Sequence, residues 1–299
     1  MELPLVVGVD GSDGSLLAVD WAVGEAARHG LPLRLVYASL WERYEGAAPP
    51  GDERPSEQLM AEAVVADAVE RARRRDPDVK VSAEVVPDEA SNALLREGPG
   101  AYALVTGSRG RGVLSGLLLG SVSLAVAARA HCPVIVVRGD KAGLAGSHER
   151  ILLGVDDAAT AGEAVRFAFR EAEARGCVLD VVRAWRRPAH ETADQVSPDL
   201  VRGESQPAVN PAHDHERQAS ALLDAALHDA ATDHPAVRVR RTTVEGPARR
   251  VLLHRSAAAD LVVVGAQRRS GHFGLQLGRV AHTLLHHAAC PVAVVPQRV

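Results

Sequence analysis

The stretch Leu5-Val6-Val7-Gly8-Val9-Asp10 recurs in this 299-residue chain as Ile151-Leu152-Leu153-Gly154-Val155-Asp156, which lies 146 residues further on (151 minus 5). Each copy is a short, nearly continuous apolar run that ends in an aspartate. Such a run is typical of a strand that is covered on both faces of a parallel sheet. The sequence therefore predicts the same buried strand twice.

A second match lies nearer the end of each copy. Cys132-Pro133-Val134 recurs as Cys290-Pro291-Val292 at a distance of 158 residues (290 minus 132), so the second copy carries a 12-residue insertion (158 minus 146). Internal self-similarity of this kind indicates a duplicated domain. We predict one domain over residues 1–140 and a second over residues 148–299, joined by a linker near residues 139–149.

Within the first copy, apolar runs alternate with segments of helical periodicity. The pattern predicts strands at residues 3–9, 33–38, 79–86, 103–106 and 134–137, and helices at residues 12–29, 56–75, 90–97 and 120–130. Parallel strands require helical crossovers, so this alternation predicts a doubly wound α/β sheet. Ligands of such sheets bind beyond the carboxyl ends of the strands, where the winding reverses.

The composition excludes several classes of function. With 34 basic and 38 acidic residues the net charge is −4, so a nucleic-acid-binding surface is not expected. The two lysines, Lys80 and Lys141, do not lie in a G-x-x-x-x-G-K-[ST] phosphate loop. Three widely spaced cysteines and a start without a signal peptide predict a cytoplasmic protein. The uncharged stretch over residues 112–128 is too short to span a membrane.

A glycine-rich loop follows the fourth predicted strand, with the spacing G-x2-G-x9-G-S from Gly107 to Ser121. Glycines let main-chain amides approach an anion, and the start of the next helix adds free N–H groups, the positive end of its dipole and serine hydroxyls. We interpret this loop as an anion cradle. Asp10, at the end of the first strand, faces the same crevice and would either serve a ribose or a divalent ion, or simply cap the following helix.

The motif Val9-Asp10-Gly11-Ser12, the glycine loop and the closing segment His131-Cys132-Pro133-Val134 together resemble the universal stress protein family, and the doubled chain resembles its tandem members over essentially its full length. The resemblance implies tandem Rossmann-like, adenine nucleotide alpha hydrolase-like domains, each with a five-stranded parallel sheet and flanking helices. It also implies an adenine nucleotide, ATP, with Mg²⁺ or Mn²⁺ as candidate companions. The implied contacts are Val9, Asp10, Val36, Gly107, Arg109, Gly110, Gly120, Ser121, Val122 and Ser123.

In this family the last strand commonly pairs domains side by side. The corresponding residues are 134–137 and 292–295. The resemblance therefore implies a homodimer formed through these strands.

The second copy departs from the motif. Arg268 stands where the first copy has Gly110, and Arg279 stands where it has Ser121. A side chain at position 268 would obstruct close amide contact, which favours loss of the second site, although two guanidiniums would also suit a differently built phosphate site.

Other candidate sites carry less weight. His190, His213 and His215, or His286 and His287 with Cys290, have the residue types of zinc ligands, but a buried cysteine is usually a packing residue. The sequence contains no G-x-S-x-G, H-E-x-x-H or C-x-x-C motif of a dedicated enzyme. The leading hypothesis is a nucleotide-dependent stress or dormancy regulator. The alternatives are an ATP hydrolase of low turnover and a partner-binding scaffold with a vestigial site.

Overall fold

The computed structural model describes residues 2–40, 56–110, 119–156, 161–186, 211–266 and 277–297. Five strands and four longer helices alternate in the first half, as predicted. They are β1 (Leu5–Gly8), α1 (Asp13–His29), β2 (Leu33–Ala38), α2 (Ser56–Arg75), β3 (Val81–Val86), α3 (Ala90–Glu97), β4 (Ala103–Gly107), α4 (Ser121–Arg129) and β5 (Val134–Val137). The bounds of β2, α2, α3 and β5 agree with those predicted from the sequence.

The second half repeats this order. Its elements are β6 (Arg150–Gly154), α6 (Gly162–Arg175), β7 (Val178–Trp185), α7 (Pro211–Asp233), β8 (Arg238–Glu245), α8 (Ala248–Ser256), β9 (Leu261–Ala266), α9 (Arg279–His287) and β10 (Val292–Pro296). The short helix α5 (Lys141–Ala145) connects the halves. The predicted linker therefore contains one helical segment, whose first turn is capped by the Asp140 carboxylate through the Gly143 amide.

All ten strands form one sheet in the order β3-β2-β1-β4-β5-β10-β9-β6-β7-β8. Strands within each half are parallel, which confirms the doubly wound, Rossmann-like fold. The two halves meet through β5 and β10, which pair antiparallel with Ile135 opposite Ala293. The last strands do pair domains side by side, but they do so within one chain.

This pairing corrects the expectation of a homodimer through the last strands. Strand β5 lies between β4 and β10, and β10 lies between β5 and β9. Neither strand has an unpaired edge, because a strand in a sheet has only two edges and both are filled. A second copy would have to bind elsewhere.

Each face of the sheet carries helices from both halves. Helices α1, α2, α6 and α7 pack on one face, where their buried side chains join a single apolar cluster with alternate strand residues such as Leu5, Val7 and Ile135. Helices α3, α4, α8 and α9 cover the other face, which includes Val6, Leu104 and Val136. Period-two alternation places neighbouring strand residues on opposite faces. None of the described helices is both long enough and apolar enough to span a bilayer.

Candidate functional site

The predicted site lies at the point where the winding of the first half reverses. The chain proceeds outward from β1 to β2 and β3, then returns to β4 on the other side of β1. The carboxyl ends of β1 and β4 therefore diverge into loops that enclose a crevice, which is where open α/β sheets bind ligands. Asp10 follows β1, and Gly107 ends β4.

Asp10 is held by the residues that begin α1. Its Oδ1 atom accepts hydrogen bonds from the Ser12 amide at 3.0 Å and the Ser12 hydroxyl at 2.6 Å. Its main-chain N–H donates to the hydroxyl of Ser15 at 3.3 Å. These contacts fix the orientation of the carboxylate. The Ser12 hydroxyl, rather than Asp10, accepts from the Ser15 amide and caps α1, so the helix-cap alternative for Asp10 is not what the structure shows.

The other Asp10 oxygen, Oδ2, lies against the glycine loop. A Cβ atom at Gly110 would lie 2.6 Å from it, which is closer than non-bonded atoms approach. A Cβ atom at Gly107 would lie 2.4 Å from the carbonyl oxygen of Gly14. The contact at Gly107 is with the main chain, so that position requires glycine, whereas a side chain at Gly110 would displace the Asp10 carboxylate. This contact brings the Asp10 carboxylate and the glycine loop to the same edge of the sheet.

Gly14 is a site residue that the sequence analysis missed. A Cβ atom there would lie 2.3 Å from the Arg109 carbonyl oxygen, so the first turn of α1 must present a glycine to the loop. The Ser12 hydroxyl also lies 3.3 Å from that carbonyl and donates to it. The spacing of Gly11 and Gly14 immediately after β1 was the available signal.

Helix α4 begins at the crevice. The Gly120 amide donates to the Ser108 carbonyl at 2.9 Å, which holds the helix start beside the loop. Gly120 lies at the N-cap position, and no side chain caps the first turn of this helix. Ser121 is exposed and Val122 is half-buried. The first N–H groups of any α-helix have no intrahelical partner, so these residues present amides and a positive dipole end.

Ser123 makes a contact that the sequence did not predict. Its hydroxyl is buried and donates to the carbonyl oxygen of Gly107 at 2.7 Å. The proton is thus used inside the protein, where it fixes the start of α4 to the end of β4. The expected contact between this hydroxyl and a phosphate stays a prediction, and the Ser123 main-chain amide is a second donor at the same position.

Val9 and Val36, the two predicted apolar contacts, lie on opposite faces of the sheet. The Val9 amide donates to the Val36 carbonyl at 2.9 Å, and both side chains are buried. Val36 belongs to the apolar cluster on the α3 and α4 face, whereas Val9 belongs to the cluster on the α1 face. Only Val36 therefore lies on the same face as α4.

A cavity of about 920 Å³ adjoins the crevice. It is bounded by the start of α1, the Ser108–Gly110 loop, the segment after β5 and the turn at Ala288 and Ala289 in the second half. Ligand pockets usually measure about 300 to 1,000 Å³, so the volume fits a small molecule. Arg109 and Arg138 line it. Burial and the positive charge of nearby Arg109 lower the pKa of Arg138.

Arg138 links this cavity to the second half. Its guanidinium donates from Nη1 to the carbonyl oxygen of Leu285, in the last turn of α9. The amide of Asp140 donates to the Ala289 carbonyl at 3.0 Å. A cation at a helix C-terminus interacts favourably with the helix dipole. Together these contacts join the loop after β5 to the second half.

The corresponding region of the second half is filled by a side chain. Gln297 is buried, accepts from the Glu163 amide at 3.3 Å through Oε1 and donates to the Val295 carbonyl at 3.1 Å through Nε2. A Cβ atom at Gly265 would lie 2.8 Å from that nitrogen. Arg279 is the first residue of α9 and is exposed, whereas Arg268 lies outside the described residues.

The other candidate groups do not assemble into sites in the described part of the chain. Cys290 is fully buried in the apolar cluster and does not join His286 and His287 as a ligand group. His213 and His215 lie on α7, and His190 falls outside the described residues. Near the end of α2, Arg71 forms two hydrogen bonds with Asp20 of α1, at 2.7 and 2.5 Å, which join the two helices.

Fold and crevice together define the class of this protein: a chain of two Rossmann-like α/β domains in one sheet, with a glycine-lined crevice in the first. The family model described as the universal stress protein family matches residues 3–138 and again residues 148–296. The chain belongs to the universal stress protein family.

Relatives of similar length share the whole architecture. A universal stress protein of Mycobacterium tuberculosis is 33% identical over 302 residues, which cover 98% of this chain and 97% of the relative. The crystal structure of a universal stress protein from Archaeoglobus fulgidus superposes with a TM-score of 0.67 at 16% identity and covers 98% of both chains. A universal stress protein crystallised with cAMP aligns with 46% of this chain at 30% identity and a TM-score of 0.36.

Proposed function

We propose that the first half of this chain binds an adenine nucleotide, ATP, in the crevice between β1 and β4, and that the occupied state acts as a stress or dormancy signal. One observation carries the proposal. The Asp10 carboxylate, the Gly110 main chain and the start of α4 converge on one crevice, where a Cβ atom at Gly110 would lie 2.6 Å from Asp10 Oδ2. A glycine loop this close to a carboxylate and a helix start fits a ligand held by main-chain amides.

The chain's own residues would divide the ligand between them. Amides of Gly107, Gly110 and the first turn of α4 would hold phosphate oxygens, since a helix start and a glycine loop both favour negative charge. The Asp10 carboxylate would accept from a ribose hydroxyl or hold a divalent ion bound to the phosphates. Val36, on the α4 face, would pack against the base. Arg109 adds a cation at the rim of the adjoining cavity.

Nucleotide binding would change the contacts at the junction of the two halves. The Ser108–Gly110 loop and the Ala288–Ala289 turn bound the same cavity. A ligand changes the population of a surface only when it binds two states with different affinity. Phosphates beside Arg109 and Arg138 would relieve the repulsion between these cations. The nucleotide would therefore bind more tightly to the state in which Arg138 contacts the second half.

Titration calorimetry of the full chain with ATP tests the proposal. We expect binding by the wild-type chain, and loss of binding by Gly110→Glu, which places a side chain and a negative charge against Asp10. The matched control is Gly100→Glu, because Gly100 is exposed and a Cβ atom there meets nothing within 4 Å. This control adds the same charge and should bind normally.

Phosphate release is measured in the same samples. Binding without release supports a nucleotide sensor, whereas release well above the buffer background supports a hydrolase of low turnover instead. Absence of heat in the wild-type titration, or equal binding by Gly110→Glu, overturns the proposed site and leaves a scaffold.

A further inference from the structure

A buried cluster of charged side chains joins the two halves away from the crevice. Glu25 on α1 and Glu171 on α6 have side chains that are 1% and 0% exposed. They occupy equivalent positions, since the repeat distance of 146 residues relates them (171 minus 25). The same distance relates His29 and Arg175 (175 minus 29). The cluster is thus two copies of one Glu-x-x-x-cation pair, with histidine in the first copy and arginine in the second.

Each cation contacts both carboxylates. His29 Nε2 lies 3.3 Å from Glu25 Oε1 and 3.2 Å from Glu171 Oε1. The Arg175 guanidinium lies 2.5 Å from Glu25 Oε2, and its Nε lies 3.7 Å from Glu171 Oε2. The pairs therefore cross from one half to the other. The hydroxyl of Tyr102 donates to Glu171 Oε1 at 3.0 Å and closes the cluster on the β4 side.

The charge of this cluster depends on two groups, since the pKa of His29 is about 9 and that of Glu171 is about 7. Above pH 7 both carboxylates are ionised and only the His29 proton remains to be lost. Two carboxylates are neutralised by Arg175 together with a protonated His29, so no metal ion is needed for neutrality. Loss of the His29 proton leaves one unbalanced negative charge in the interior. An uncompensated buried charge is strongly destabilising, whereas arginine cannot lose its proton in a protein.

We propose that His29 is a proton-dependent latch between the two halves, which holds α1 against α6 while the imidazole is protonated and releases them when it is not. The replacement of arginine by histidine at the first of two equivalent positions carries the proposal. An arginine at both positions would give a permanent junction. A histidine gives one that responds to pH.

The direction of the response follows from the surroundings. Although burial favours the neutral imidazole, its contacts with Glu171 and Glu25 raise the pKa of His29 from 6.5 to about 9. Burial and the Glu25 carboxylate raise the pKa of Glu171 to about 7. Burial opposes ionisation of Glu25 as well, but the Arg175 guanidinium holds the pKa of Glu25 well below its usual range.

Both raised values have the same sign. A group whose pKa is higher when the halves are docked stabilises docking below its undocked pKa and loses that effect as the pH rises through the docked pKa. For His29 this window extends from pH 6.5 to about 9. Glu171 takes up a proton below about pH 7, so mild acid does not release the latch.

The remaining charged neighbours do not replace the His29 proton. On α1, Arg28 lies 3.1 Å from Glu25 Oε2, but its side chain is 39% exposed and water screens the pair. On α6, the Arg170 guanidinium lies 5.9 Å from the centre of the Tyr102 ring. Beyond these helices, Cys177 and Asp260 act on Arg175 through space, where they favour its charged form.

Urea unfolding of the full chain at pH 6.5, 8.0 and 9.5, with EDTA present, tests the latch. The variant is His29→Arg, which copies the pair of the second half and cannot lose its charge. We expect the folding equilibrium constant of the wild type, relative to His29→Arg, to fall at least about tenfold between pH 6.5 and 9.5. The matched control is His234→Arg, because His234 contacts Glu173 at 2.8 Å within one half. This control should keep the wild-type pH profile.

Two further measurements keep the test decisive. If His29→Arg fails to fold, His29→Gln replaces it: this uncharged variant should be weaker than the wild type at pH 6.5 and equal to it at pH 9.5. Hydrogen exchange, corrected for intrinsic rates, should show that α1 and α6 lose protection at pH 9.5 before the strands do. A ratio of wild type to variant that stays constant with pH, or protection lost evenly over the sheet, overturns the proposal.

Discussion

Gln297 occupies, after β10, the position that Gly139 occupies after β5, since the repeat distance of 158 residues relates them (297 minus 139). Gly139 lines the cavity of the first half, whereas the buried Gln297 carboxamide fills the corresponding space in the second. This difference adds to the loss of Gly110 and Ser121 from the second copy. It gives a structural reason, independent of the glycine loop, for a ligand to enter only the first half.

We therefore expect ATP to bind with a stoichiometry of one per chain. The second half lacks the Gly110 equivalent, and the glutamine side chain obstructs the space at the end of β9. Calorimetry gives the stoichiometry directly. Two equivalent sites per chain would show that the arginines of the second copy build a phosphate site of their own.

Removal of the Gln297 side chain should destabilise the second half. In Gln297→Ala the Glu163 amide loses its acceptor and the Val295 carbonyl loses its donor, which costs about 1 to 3 kcal/mol for buried groups. Urea unfolding measures the loss. Unchanged stability of Gln297→Ala would show that these two contacts contribute nothing to the second half.

Asp10→Ala should weaken ATP binding by about tenfold or more, because hydrogen bonds to charged groups contribute about 1.5 to 3 kcal/mol. Asp78→Ala serves as the control, since Asp78 is exposed in the turn between α2 and β3 and its removal changes the net charge by the same amount. Calorimetry at constant ionic strength gives both affinities. Normal binding by Asp10→Ala would leave the carboxylate with only a structural role.

Gly139→Ala should disrupt the junction between the halves. Gly139 has φ of +112°, and a Cβ atom there would lie 2.2 Å from the main-chain oxygen of Ala289. We expect a loss of about 2 kcal/mol or more from the combined strain and collision. Gly30→Ala is the comparison, because Gly30 also has positive φ but a Cβ atom there meets nothing, so its cost should be only about 1 kcal/mol. Equal losses in thermal unfolding would contradict the collision.

The native thiols should resist alkylation. Burial raises the pKa of Cys132 to about 11 and of Cys290 to about 12, and the thiolate is the reactive form. Treatment with iodoacetamide at pH 8 should therefore add no mass to the folded chain, whereas three adducts should form in urea. Rapid labelling of the folded protein would show that these cysteines open readily to solvent.

Local sequence determined how much of the fold could be predicted. Apolar runs and helical spacing predicted the bounds of β2, α2, α3 and β5 correctly. Each of these signals depends only on residues that are close together in the sequence. The rule that open α/β sheets bind ligands beyond the carboxyl ends of their strands predicted that Asp10 and the glycine loop face one crevice, and Gly110 does lie against the Asp10 carboxylate.

Other features depend on contacts between distant residues. The antiparallel pairing of β5 with β10 was expected between chains, since the sequence does not show whether two equivalent edges meet within one chain or between two. The use of the Ser123 hydroxyl required the position of the Gly107 carbonyl. Glu25 and Glu171 lie 146 residues apart in the sequence (171 minus 25). Only the packing of α1 against α6 shows that both carboxylates contact the same arginine, Arg175.

Strand β10 lies in the middle of the sheet but comes last in chain order. During synthesis, β1 to β5 can assemble early. One edge of β5 then stays unpaired until β10, the last strand in chain order, leaves the ribosome. An exposed edge recruits strands from other molecules during such an interval. Slow translation of the second half would therefore favour aggregation of the nascent chain, and chaperone demand should be greatest before β10 emerges.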